Sequence, residues 1–152
     1  MRSIILEENE YADISQRIAD VKAVFMEGLS NHTNDQGSFP VIDGALQFVE
    51  RIRKSADVRV AIAAGCWREA ALRKLSTSGF DIEGIRLTSC DDSPSRVESM
   101  RAALRMAGGC AREVTYFGDG EWDQRACKEL GWQFVAVGPR LGGIESFTDI
   151  QV

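Results

Sequence analysis

A single histidine, three prolines and four scattered cysteines occur in this chain of 152 residues. Cys66, Cys90, Cys110 and Cys127 include no Cys-x-x-Cys pair, and His32 is remote from all of them, so the tight ligand spacing of a zinc centre is absent. Four thiols could form two bridges, but an acidic domain of this kind ordinarily keeps its thiols reduced, and four free cysteines are expected. No apolar run approaches the roughly 20 residues that a membrane-spanning helix needs. The apolar opening around Ile4, Ile5 and Leu6 meets Glu7 and Glu8 too early for a signal peptide, so a cytoplasmic location is expected. Eighteen basic residues stand against 23 acidic ones, a net charge of -5, and no Lys/Arg run interleaves with aromatics. Nucleic acid and membrane surfaces are therefore not expected as partners.

With 44% apolar and 27% charged residues, the chain has enough apolar surface for one core. From residue 41 onward, helical and strand patterns alternate. Asp43 is positioned to cap a helix that carries Leu46, Val49 and Ile52 on one stripe. Residues 58–63 form a β-rich run, 67–78 a helix closed by Gly79, and 85–88 a short strand. Ser95-Arg96-Val97-Glu98 has capping-box form and opens a helix reaching residue 107, which Gly108 and Gly109 end. A strand over 114–117, a helix over 122–130 with Gly131 behind it, and a strand over 134–137 complete the series. Such alternation predicts an α/β fold with a mostly parallel sheet between helical layers. The first forty residues differ. Ile14, Ile18, Val21 and Phe25 share one face of an amphipathic helix over about residues 12–28, and polar residues 31–38 read as a linker with His32 in solvent.

Chemistry concentrates at Gly118-Asp119-Gly120-Glu121-Trp122-Asp123. A strand ending at a glycine turn presents Asp119 and Asp123 at its carboxyl end, where open α/β sheets bind their ligands. Two carboxylates converging there suit a hard cation such as Mg²⁺, which in turn usually serves a phosphate. The bland alternative is a turn aspartate and a first-turn helix acid, placed for capping and dipole reasons.

Three segments, Val60-Ala61-Ile62-Ala63-Ala64-Gly65-Cys66-Trp67-Arg68, Asp91-Asp92-Ser93-Pro94-Ser95-Arg96 and the aspartate turn just named, together resemble the haloacid dehalogenase-like superfamily. The likeness is to its small phosphoglycolate-phosphatase-like members, and it extends from about Phe39 to Gly138. It implies a three-layer, Rossmann-like parallel sheet and Mg²⁺-dependent phosphoryl transfer through an aspartyl-phosphate. By the resemblance, Asp119 and Asp123 hold the metal, and Arg96 neutralises phosphate and nucleophile. Ala64 stands where the family has a Ser or Thr hydroxyl, leaving backbone N–H groups of Gly65 and Cys66 to hold an anion at a helix N-terminus. It further implies a helical cap remnant and linker over residues 1–36, and an α/β core over 37–152.

The family's D-x-D-x-T/V nucleophile pair has no counterpart among these residues. The resemblance therefore implies a core without its first strand, which would lie between the strands at 58–63 and 114–117. Ile4-Ile5-Leu6 could fill that slot, the sheet could close over it, or a second chain could supply contacts; a homodimer is the preferred expectation. Two functions remain. One is a phosphatase-like hydrolase for small phosphorylated metabolites, inactive for want of its nucleophile. The other is a non-enzymatic module or pseudoenzyme that associates through its exposed sheet edge.

Overall fold

A computed structural model describes residues 2–150, with side chains described from residue 12 onward. Contacts divide the chain into two units, Met1–Phe39 and Pro40–Val152.

The first unit is one helix, α1 (Arg2–Gln36), longer than the expected 12–28. Residues 31–36 are helical and not a linker. Polar side chains near this end fold back onto the helix: Ser30 Oγ donates to the Met26 carbonyl (2.9 Å) and Thr33 Oγ1 to the Leu29 carbonyl (3.1 Å). Gly37, at φ 81°, takes the left-handed conformation that ends helices. His32 is exposed, as expected, but lies in α1 and not in a loop; its ring stacks on Phe39 at a centroid distance of 4.6 Å. That contact also explains why the unit ends at Phe39 and not at residue 36. Ile4, Ile5 and Leu6 belong to α1, so they supply no strand.

The second unit carries the expected alternation in the expected order. Its elements are α2 (Ala45–Arg53), β1 (Ala61–Ala63), α3 (Arg68–Thr77), β2 (Arg86–Thr88), α4 (Arg96–Met106), β3 (Thr115–Gly118), α5 (Glu121–Leu130) and β4 (Gln133–Ala136), followed by a 3-10 turn at Pro139–Leu141. Ser95 caps α4 by accepting from the Glu98 N–H at 3.4 Å. The capping box is only half made, since the Glu98 carboxylate pairs with Arg101 at 2.6 Å. Asp43 does not cap α2. Gly44 occupies the cap at φ 72°, while the Asp43 carboxylate accepts from Ser146 Oγ (2.9 Å) and Thr148 Oγ1 (3.2 Å). The turn needs a left-handed residue, and aspartate one position earlier is more useful as an anchor for the C-terminal segment.

The fold is α/β with parallel strands, in two pairs among the described residues and not in one continuous sheet. Ala61, Ile62 and Ala63 of β1 register with Arg86, Leu87 and Thr88 of β2. Thr115 to Gly118 of β3 register with Gln133 to Ala136 of β4. Parallel ladders alternate, so every second residue turns its backbone groups away from the partner. Ala64 N–H donates to the Thr88 carbonyl (2.7 Å), which turns Ala63 outward from that pair. Gln133 and Val137 N–H donate to the Val114 and Gly118 carbonyls (both 2.9 Å), which turns Thr115 and Phe117 outward from the other.

The outward Ala63 carbonyl is met by a side chain, the Tyr116 hydroxyl, which donates to it at 3.2 Å. A tyrosine side chain on β3 thus reaches the edge of β1, where no ladder joins the two pairs among the described residues. Packing joins the pairs as well. On one face Ala63 and Tyr116 pack with Met100 and Ala103 of α4 and Ala126 and Cys127 of α5. On the other, Phe117 packs with Phe48 of α2 and Phe147, with ring centroids 5.0 to 5.5 Å apart. Tyr116 and Phe117 are neighbours in β3 and enter opposite clusters, as strand alternation requires.

The Gly44 turn gives a direct check. Besides its positive φ, a Cβ there would stand 2.8 Å from the Thr148 nitrogen. Gly44→Ala is expected to lower stability by about 1–3 kcal/mol, read as a lower urea midpoint; an unchanged midpoint contradicts the turn described.

Candidate functional site

The candidate residues gather at the carboxyl ends of β1 and β3, where each strand gives way to a turn and then a helix. Gly118 makes the gathering possible. A Cβ on it would stand 2.8 Å from the Tyr116 ring and 2.9 Å from Asp123 Oδ2, so only glycine lets the first turn of α5 approach β3 this closely. Gly120 is similarly confined, since its Cβ would run into the Trp122 indole. Trp122 itself is exposed, with the Arg140 guanidinium over its ring at 5.5 Å, which makes it a rim residue and not part of the core.

Arg96, the first residue of α4, is the hub. Its Nε donates to Asp123 Oδ1 at 2.6 Å, and the Asp123 side chain is only 4% exposed. Its Nη2 donates to the Tyr116 hydroxyl, and that hydroxyl in turn donates to the Ala63 carbonyl. Its Nη1 is buried and, among the described residues, has no hydrogen-bond partner. This nitrogen lies 3.8 Å from where a Cβ on Gly65 would be, so it faces the turn that follows β1. One guanidinium thus links α4, α5, β3 and, through Tyr116, β1.

The electrostatics follow from burial. Burial drives the Tyr116 phenol well above its ordinary value; nearby Arg96 opposes this and Asp123 reinforces it, so the hydroxyl is neutral and a donor at physiological pH. Burial, with Asp123 adding to it, pushes the Cys127 thiol up to about 11. Across the turn, the Ser89 backbone N–H holds the Asp92 carboxyl below its usual range; burial opposes this, while the Ser89 hydroxyl and Arg68 support it.

Of the residues expected to bind phosphate, the structure brings Gly65 beside Arg96, but two features depart from expectation. The Ala64 N–H is spent on the β1–β2 ladder, so it is not available to an anion. The N-terminus of α3 already has a carboxylate, because Asp91 Oδ2 accepts from the Arg68 N–H at 2.6 Å. Asp92 Oδ2 accepts from Arg68 Nη2 at 2.7 Å, completing a loop-to-helix clasp. These two aspartates act as loop and cap residues, as their sequence context indicates.

The two expected metal ligands are not equivalent. Asp119 is exposed, whereas Asp123 is buried and paired with Arg96. No group of three or more His, Cys, Asp or Glu among the described residues is placed to hold a metal ion. Mg²⁺ bound through one or two carboxylates keeps several waters, and of the two carboxylates here Asp123 is already paired with a guanidinium while Asp119 is exposed. Sequence reasoning also missed Tyr116. The available signal was its place two residues before Gly118, which puts both on one face of β3.

No protein-family model matches the chain, and no curated protein matches it.

Two outcomes are expected. Arg96→Ala leaves Asp123 buried and unpaired, which costs about 3–5 kcal/mol. Replacing both charges, as in Arg96→Met with Asp123→Leu, restores most of that loss. Urea denaturation of the three variants reads this, and a loss below about 1 kcal/mol in the single variant contradicts the hub. In thiol titration with an aromatic disulfide at neutral pH, the exposed Cys110 reacts in the native state. Cys127, buried and with its thiol held protonated, reacts only on unfolding; rapid native modification of Cys127 contradicts its placement.

Proposed function

We propose that this chain is a phosphatase-like domain of the haloacid dehalogenase-like type, which holds the phosphate of a small metabolite without hydrolysing it. The supporting observation is the buried Nη1 of Arg96, a charged donor with no partner among the described residues, aimed at the turn after β1. A buried donor left unmade costs about 1–3 kcal/mol, and a charge-assisted bond to an oxyanion recovers it. The other two guanidinium contacts fix its orientation, so an anion meets a preorganised group. The backbone N–H groups of Gly65 and Cys66 are the natural second set of donors. The carboxylate clasp of Asp91 and Asp92 nearby keeps affinity modest, since it repels a phosphate dianion.

Hydrolysis is not expected, because covalent phosphoryl transfer needs a nucleophile and no residue here matches the family's attacking aspartate. Mg²⁺ binding is expected to be weak, as its two candidate ligands are unequally available. The opposed clusters around β3 support a three-layer arrangement of the core, and a cytoplasmic setting accords with four free cysteines.

A second reading, a module that accepts an extended strand along the outer edge of β3, is favoured by the outward backbone of Thr115 and Phe117. The two readings differ in a thermal melt. At tenfold excess over Kd, a specific anion adds about 1.4 kcal/mol, or roughly 4 °C in Tm. Inorganic phosphate is expected to give such a rise while chloride of equal ionic strength does not. An equal response to both salts contradicts phosphate binding and leaves the strand-accepting reading. Under either reading, p-nitrophenyl phosphate with Mg²⁺ shows no turnover, and a kcat near 1 per second, ordinary for an enzyme, contradicts both.

A further inference from the structure

The thiols of Cys66, in the turn after β1, and Cys90, in the turn after β2, have no role in the function proposed above. The two turns run side by side. Ala64 N–H donates to the Thr88 carbonyl at 2.7 Å, Cys90 N–H to the Cys66 carbonyl at 3.3 Å, and Arg68 N–H to Asp91 Oδ2 at 2.6 Å. Arg68 Nη2 adds a bond to Asp92 Oδ2 at 2.7 Å. The two cysteines therefore stand opposite one another in the middle of a braced stretch, joined directly through their own backbones. A backbone bond of that length sets the two Cα atoms about 6 Å apart, inside the range of about 4.4–6.8 Å that a disulfide spans. Both residues are half-buried, whereas Cys110 is exposed and Cys127 buried. We propose that Cys66 and Cys90 form a redox-modification site, a reversible disulfide that fastens the turn after β1 to the turn after β2.

The oxidant is a low-molecular-weight disulfide. One cysteine of the pair, as its thiolate, attacks a sulfur of the reagent, forming a mixed disulfide and expelling the first small thiolate. The second cysteine, also as its thiolate, attacks the protein-bound sulfur and expels the other. One S–S bond is broken and one is formed. The two cysteines lose two electrons and two protons, and the reagent takes up both as two thiols. Excess small thiol runs the exchange backwards, which suits a sensor in a reducing setting.

The disulfide also regulates the oxyanion site, an effect that rests on the function proposed above. Asp123 and Tyr116 hold the Arg96 guanidinium on the β3 side of β1, whereas Cys90 stands on the β2 side. Oxidation draws Cys66 toward Cys90 and its backbone N–H away from Arg96 Nη1, so the oxidised chain holds phosphate more weakly.

Mass mapping of the full chain tests this, after incubation at mildly alkaline pH over a series of oxidised-to-reduced glutathione ratios and digestion without reduction. A peptide pair linked through Cys66 and Cys90 is expected to accumulate as the ratio rises and to disappear with dithiothreitol. Cys66→Ser and Cys90→Ser each stop at the mixed disulfide, and Cys110→Ser leaves the link intact. The rise in Tm given by inorganic phosphate is expected to fall by about half or more in the linked form and to return on reduction. Absence of the link from the folded chain overturns the proposal, whatever phosphate does. An equal phosphate response in both redox states overturns the regulation. No response in either state overturns the oxyanion reading and leaves the disulfide standing.

Discussion

The ion pair between Arg96 and Asp123 is the contact on which the second unit's architecture depends. Among the described residues the two parallel strand pairs carry no backbone ladder from one to the other, so side chains must do what a strand would do. The guanidinium performs part of that work. It fixes the start of α4 against the first turn of α5 and, through the Tyr116 hydroxyl, reaches the Ala63 carbonyl at the edge of β1. A charge this deep is tolerable only when its partner is held in place. Gly118 does the holding, by leaving no side chain between β3 and the aspartate.

In the proposed function the same arrangement ties stability to recognition. A guanidinium with five N–H donors in a planar fork has more capacity than Asp123 and Tyr116 can use. The surplus donor faces the turn at Gly65, and in the proposed function the group that braces the core is also the one that meets an oxyanion. The clasp made by Asp91, Asp92 and Arg68 works in the opposite sense, since it satisfies the start of α3 from within the chain. Whatever anion enters must share that helix end with a resident carboxylate.

Much of the second unit was legible in the sequence because its signals are local. Glycines at 79 and 131 end helices with positive φ, Ser95 caps α4, and compact apolar runs become strands within a few residues of their expected limits. The family-like segments led to Arg96 and Asp123 as site residues, and the structure brings both together. Their mutual pairing was not legible, because sequence spacing says nothing about which charge neutralises which across 27 residues. Asp43 misled for a similar reason: a cap preference cannot reveal that Gly44 is needed for its φ and that Ser146 and Thr148 wait more than 100 residues away. The end of α1 was misplaced because Ser30 and Thr33 satisfy their hydroxyls inside the helix, where composition alone reads as a turn.

The central claim is that Arg96 offers an oriented, unsatisfied donor to an oxyanion over the turn after β1. An anomalous difference map from crystals soaked in tungstate tests it most directly. One strong peak is expected within hydrogen-bond reach of Arg96 Nη1 and the Gly65 backbone, with the Asp123 pair intact. Tungstate bound elsewhere on the surface, with that position empty, would contradict it.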